Sequence, residues 1–110
     1  MVLPGLAFGQ AAAPQAANRP ACITVQNNAN GTFPVELRTG TFRPITFAAD
    51  VGAPLRFCLP MEIAADQKIE VKVKSWMNPV GICMLPPGGR VEIARITLAD
   101  KSQMNEVRCR

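Results

Sequence analysis

From residue 68 to residue 74 the chain reads Lys68-Ile69-Glu70-Val71-Lys72-Val73-Lys74, β-branched and charged side chains in strict alternation. That period of two belongs to an antiparallel strand with one face in a core and the other in water. Asn78-Pro79-Val80-Gly81 then supplies turn chemistry, residues 80–85 form a second apolar run, and Pro86-Pro87-Gly88-Gly89 is a second turn. Alternation resumes at Arg90-Val91-Glu92-Ile93 and slips phase at Ala94-Arg95 before Ile96 and Leu98, which predicts a β-bulge. Residues 68–98 are therefore expected to form a three-stranded meander.

Upstream, Cys22-Ile23-Thr24-Val25-Gln26 and Phe33-Pro34-Val35-Glu36-Leu37-Arg38 alternate as well, and the Asn30-Gly31 step between them is a hairpin signal. Pro34 must stand at a strand start or an edge, because it has no N–H to give to a ladder. Residues 45–47 and 55–59 are two further short strands, and Val107 and Cys109 share the face of a last one. Only residues 61–67 carry a helical possibility, of one or two turns. The pattern predicts an all-β fold, a small antiparallel β-sandwich of six or seven short strands, with a small β-barrel as the alternative. The domain is placed at residues 22–110.

Residues 1–21 read differently. They are small, apolar and Ala/Pro-rich, with Arg19 the one charge. Ala7-Phe8-Gly9 and Gly9-Gln10-Ala11 each put small residues at the −3 and −1 positions of a secretory cleavage site. The segment is read as the remnant of a signal peptide whose true start lies upstream, or else as a disordered leader. No stretch reaches the length of apolar sequence that a membrane-spanning helix needs.

Four cysteines change the picture more than any other residue type. Cys22, Cys58, Cys83 and Cys109 are separated by 36, 25 and 26 positions, so they contain no Cys-x-x-Cys of the kind that zinc and dithiol sites use. An even number in a small domain reads as two disulfides and hence as an oxidising compartment, periplasmic or secreted. Of the three connectivities, the nested one, Cys22 with Cys109 and Cys58 with Cys83, has the appeal of fastening both ends of the domain.

Charge and chemistry mostly exclude. Twelve Lys+Arg against eight Asp+Glu leave a net charge of +4, scattered without a run of like charges, and with one Trp and no Tyr nothing resembles a nucleic-acid module. There is no histidine, so neither a Ser/His/Asp nor a Cys/His mechanism can be assembled, and the commonest transition-metal ligand is missing. Glu62 and Asp66 would share a face if their segment were helical, as an exposed polar surface. The chain is expected to be no enzyme and to need no cofactor. Its expected role is that of an exported binding or structural module of the bacterial envelope or extracellular space, the bacterial origin resting on the leader, with a protein or an envelope polymer as partner.

Candidate contact residues follow from the strands. Trp76 falls in phase with Lys72 and Lys74 on the polar side, beside a turn, where an aromatic anchors a partner; the competing placement ends the strand at Ser75 and lets the indole cap the core. The tip Leu85-Pro86-Pro87-Gly88-Gly89-Arg90 is stiff, then flexible, then cationic. It supports a first rival function, a secreted hydrolase or protease inhibitor acting through the 85–90 loop or the 40–54 connection. A second rival is a periplasmic Cu(I)-binding protein using methionine sulfur at Met61, Met77, Met84 and Met104. Asn30-Gly31-Thr32 matches the glycosylation sequon but is already explained as a turn. If Trp76 is an anchor, its fluorescence will be quenched readily by acrylamide; strong protection from that neutral quencher puts the indole in the core instead.

Overall fold

The computed structural model describes residues 17–75 and 79–110. Eight strands follow one another: β1 Asn18–Asn27, β2 Phe33–Arg38, β3 Ile45–Ala49, β4 Leu55–Ala64, β5 Ile69–Lys74, β6 Pro79–Leu85, β7 Arg90–Thr97 and β8 Gln103–Cys109. They form two four-stranded sheets, A in the order β4-β1-β7-β8 and B in the order β3-β2-β5-β6. The two sheets pack face to face as a disulfide-linked sandwich, not as a closed barrel.

Alternation decides what lies between them. Ile23 and Val25 of β1, Val35 and Leu37 of β2, Ile69, Val71 and Val73 of β5, and Val91 and Ile93 of β7 all point inward and are essentially inaccessible. Period-two patterning puts every second residue on one face, so these segments can satisfy the core only as strands. Pro34 falls where its missing donor does no harm. It pairs with Ala48 of β3, while the β2–β5 ladder starts one residue later, at Val35.

Several expectations are corrected by long-range pairing. The Asn-Gly step does not close a hairpin, because β1 lies in sheet A and β2 in sheet B. The expected meander breaks at residues 86–89, where the chain leaves sheet B after β6 and β7 pairs in parallel with β1, Thr24 opposite Arg90 and Val25 opposite Val91. Residues 61–64 are the end of β4 and not a helix; Asn18, Arg19 and Pro20 pair there with Ala64, Ile63 and Glu62, and Ile63 is buried. Glu62 and Asp66 accordingly share no helix face. β7 has no bulge at Ala94-Arg95, since its register with β8 is continuous from Val91 to Thr97. The phase slip records instead the end of sheet B's cover. Beyond Ile93, the inward-phase residues Arg95 and Thr97 are exposed, and Arg95 bonds Asn30. The bulges lie elsewhere, on β4, where Leu59-Pro60-Met61 faces Ala21 alone, and at Val80 of β6.

The two disulfides are Cys22–Cys58 and Cys83–Cys109, and no cysteine is free. The nested pairing is therefore wrong. Cys22 and Cys58 are direct neighbours across the β1–β4 ladder, which no spacing argument reveals. Cys83–Cys109 joins β6 to β8, the edge strand of one sheet to that of the other. Close approach there requires glycine at position 81, where a Cβ would sit 2.7 Å from Val107 Cβ. On the opposite side, Phe47 of β3 stacks on Phe57 of β4 with ring centroids 4.8 Å apart. The open edges of the sandwich are thus bridged covalently on one side and by an aromatic pair on the other.

Two buried polar residues close the ends of the core. Asn27, 1 % exposed, donates from Nδ2 to the carbonyls of Gly31 and Ala49, both at 2.7 Å, and its Oδ1 accepts from the Ala29 N–H at 2.9 Å. At the other end, Thr39 donates to the Lys68 carbonyl at 2.9 Å and accepts from Gln67 at 3.0 Å. The Asn27→Leu substitution keeps the branching of the side chain and strands two buried backbone groups, the Ala49 carbonyl and the Ala29 N–H, together with the part-buried Gly31 carbonyl. It should destabilise the fold by about 3 kcal/mol or more, read as a lower urea midpoint at unchanged m-value; a loss within experimental error would show that Asn27 does not hold this end together.

Candidate interaction surface

The outward faces of the two sheets are the broadest surfaces that the described residues present. On sheet B the outward residues of β2 and β5 compensate one another. Arg38 faces Glu70 across the ladder at 3.4 Å, and Lys74 reaches Glu36 at 2.8 Å. The hydrogen bond from the Lys74 ammonium, with Lys72 and Arg38 adding their charge, holds the Glu36 carboxyl below the usual carboxylate range against the opposing effect of partial burial. Beside them, Ile82 and Met84 of the edge strand β6 are exposed.

The outward face of sheet A is different. Arg56 of β4 lies opposite Thr24 of β1, Thr24 lies opposite Arg90 of β7, and Arg90 exchanges both backbone hydrogen bonds with Arg110, at 2.8 and 3.2 Å. Residues in register across a sheet share a face, so Arg56, Thr24, Arg90 and Arg110 form one row. At about 4.8 Å between strands, Arg56 and Arg90 stand roughly 10 Å apart, and Arg90 and Arg110 about half that. The next row holds Gln26, Glu92 and Arg108. Glu92 accepts from Asn28 at 2.9 Å and pairs with Arg110 at 3.3 Å and Arg108 at 3.6 Å, while Glu106 pairs with Arg108 at 2.9 Å. Among the described residues, the side chains of Arg56 and Arg90 make no ion pair or hydrogen bond. A groove of about 380 Å³ runs beside this row, lined by Gln26, Asn28, Arg90, Val91, Glu92 and Arg110, and a smaller cleft of about 130 Å³ lies on the far side of Thr24, between Arg19, Arg56 and Pro87.

The sequence-predicted contact residues are not brought together. Lys72 and Lys74 belong to the outer face of sheet B, Arg90 to that of sheet A, and Leu85 is buried in the core at 4 % exposure. Trp76 lies outside the described residues. Residues 86–89 are docked on β1, with the Gly88 N–H donating to the Cys22 carbonyl at 2.8 Å and the Thr24 N–H to the Gly89 carbonyl at 3.0 Å. Pro86 and Pro87 are half-buried in that turn, and Gly89 leaves no space for a side chain, since a Cβ would meet Leu85 Cβ at 2.8 Å. Arg90 is consequently the first residue of β7 and not the end of a projecting tip.

Thr24, Arg56 and Arg110 escaped the sequence reading. Thr24 and Arg56 sit in outward phase beside core residues, which was the available signal, whereas Arg110 follows the exposed Cys109; what makes the three neighbours of Arg90 is strand order. Methionine sulfur is not gathered either. Met61 is on β4; Met84 follows Cys83, whose partner Cys109 stands five residues along β8 from Met104, roughly 17 Å of strand. Met77 lies outside the described residues. Among the described residues, no three Cys, Asp or Glu side chains are grouped so as to hold a metal ion, and no helix is long and apolar enough to cross a membrane. Comparison with protein-family models, with curated proteins and with solved structures gave no match.

The Glu36 pair predicts a pH dependence of defined sign. A carboxyl whose folded pKa is lowered contributes stability that is complete above the ordinary glutamate range and is lost as pH falls through the folded value. Glu36→Gln should therefore be less stable than the wild type at neutral pH, modestly because the pair is partly exposed, and the two urea midpoints should converge on acidification. A constant difference across that range would remove the Glu36 pair as its source.

Proposed function

We propose that the chain is an exported, non-enzymatic binding module of the bacterial envelope or extracellular space. The observation that carries this reading is the commitment of all four cysteines to two disulfides. Such bonds persist where the surroundings are oxidising, and small domains rely on them where the core alone is marginal. Loops of 36 and 26 residues are worth about 3.5–4 kcal/mol each in the chain-entropy model. Together they match the whole net stability of many small domains. The Ala/Pro-rich leader with two small-residue cleavage sites supports the same compartment.

Binding in place of catalysis is supported by the kind of surface the fold offers. The module has two outward sheet faces built mostly of charged and polar side chains, no histidine, and, among the described residues, no grouping of Cys, Asp and Glu fit to hold a catalytic metal. Faces held on paired strands suit recognition of an extended partner, because the backbone that carries the contact residues is already ordered and only their side chains have to be fixed on contact.

Differential alkylation in intact cells tests the reading. All four cysteines are expected to resist maleimide until the protein is denatured and reduced, and the protein is expected in the extracytoplasmic fraction. Reduction followed by alkylation should abolish the cooperative thermal transition. Cysteines that label in the native protein inside the cell would overturn the export reading.

A further inference from the structure

We infer that the outer face of sheet A is a binding site for an acidic polysaccharide, a sugar chain bearing carboxylate or sulfate groups. Arg56, Arg90 and Arg110 receive its anions, and Thr24, Gln26 and Asn28 bond its hydroxyls. This names the partner of the binding module proposed above and rests on that reading.

Charge carries the first part of the argument. Arg56 and Arg90 have no anionic partner among the described residues, and Arg90 faces Arg110 directly across a ladder. Like charges in that position destabilise a sheet, and an oxyanion lying between them reverses the sign. Glu92 offsets part of the row through its pair with Arg110 and is shared with Asn28 and Arg108, which leaves Arg56 and Arg90 as the uncompensated guanidiniums. Guanidinium groups are suited to carboxylate and sulfate, since their planar fork donates two parallel hydrogen bonds to one oxyanion.

Geometry carries the second. The 380 Å³ groove and the 130 Å³ cleft lie on either side of Thr24, so a chain-like ligand crossing the strands passes over all three guanidiniums. Between Arg56 and Arg90 stands the Thr24 hydroxyl, which both donates and accepts as sugar hydroxyls require. Farther along β1 the Gln26 and Asn28 carboxamides are held in place by the bonds Gln26 Nε2 gives to the Gly52 carbonyl at 2.8 Å and Asn28 Nδ2 gives to Glu92 at 2.9 Å, with their oxygens as acceptors. Among the described residues, the face carries no aromatic side chain. Single-stranded nucleic acid is held by stacking on aromatic rings, and protein partners by aromatic and apolar anchors. The apolar pair on this face, half-buried Ile96 and exposed Met104, stands six residues along β7 and β8 from Arg90 and Arg110, roughly 20 Å of strand. The arginine row itself therefore offers neither kind of anchor, which is why the anionic sugar chain is the favoured occupant.

The test titrates the purified, oxidised protein with polygalacturonate fragments and with dextran sulfate, using neutral dextran and poly-glutamate as comparisons. Binding to at least one acidic polysaccharide and none to neutral dextran is expected, and the preferred polymer reports whether carboxylate or sulfate is recognised. Removing two charge-assisted contacts in the double variant Arg56→Gln/Arg90→Gln should weaken binding about a hundredfold, about tenfold for each arginine. Arg90→Lys, which keeps the charge but not the fork, should fall between. Lys68→Gln/Lys72→Gln removes the same charge from the sheet B side and should leave affinity within a factor of about two. Equal losses in the two double variants would reduce the effect to net charge and overturn the site. Tighter binding of poly-glutamate than of either sugar polymer would assign the face to an acidic protein segment, and absence of binding to every polymer would refute the proposal outright. Because this assay uses isolated protein, its outcome is independent of thiol labelling in cells, so the site and the export reading fail separately.

Discussion

The parallel ladder between β1 and β7 is the constraint on which the rest of this molecule depends. It inserts β7 between β1 and β8, completing sheet A, and it is prepared by the turn at residues 86–89, whose backbone bonds to β1 before the strand begins. Parallel neighbours cannot be made by a tight hairpin, so this pairing joins segments some 66 residues apart, Thr24 and Arg90, at a considerable cost in chain entropy. Its consequences reach the surface. Arg56 and Arg90 stand in one row only because β1 takes β4 on one side and β7 on the other.

Around that ladder the fold meets a difficulty common to small sandwiches, which is that two sheets leave open edges and open ends. Each is handled by different chemistry. The β6–β8 edge is joined by Cys83–Cys109 at the place where Gly81 lets the strands approach; the β3–β4 edge is bridged by Phe47 and Phe57. The ends are filled by Asn27 and Thr39, whose side chains bond backbone groups that the crossing loops would otherwise bury unpaired. The backbone of both outward faces is in consequence fixed by its ladders and by the contacts at the edges and ends.

Much of this was legible in the chain. All eight strands coincide with alternating or short apolar segments, and the inward sets Ile69, Val71, Val73 and Ile23, Val25 are the buried ones. Local turn chemistry was less informative. Asn30-Gly31 marks a turn but joins two sheets, and residues 61–64 resemble a helical turn until Asn18 to Pro20 pair with them. The slip at Ala94-Arg95 was a true signal with a different cause, because a strand that outruns its partner sheet no longer needs an apolar inner face. Of the expected contact residues only Arg90 belongs to the arginine row, with Pro87 at its margin. Lys72 and Lys74, expected in one contact surface with Trp76 and Arg90, stand among carboxylates from β2 and β5 on the other sheet.

Period, composition and cysteine number are local or countable properties, and they determined an all-β, disulfide-stapled chain with no histidine chemistry. Pairing is neither local nor countable. Which cysteine meets which, whether β7 joins β5 and β6 or crosses to β1, and which outward arginines become neighbours all follow from strand order, and a one-face alternation is compatible with many orders. Tertiary packing selects one of them by burying Val91 and Ile93 against sheet B while giving every crossing loop partners for its backbone. The surface that results, a row of cations with Thr24 at its centre, was decided there alone.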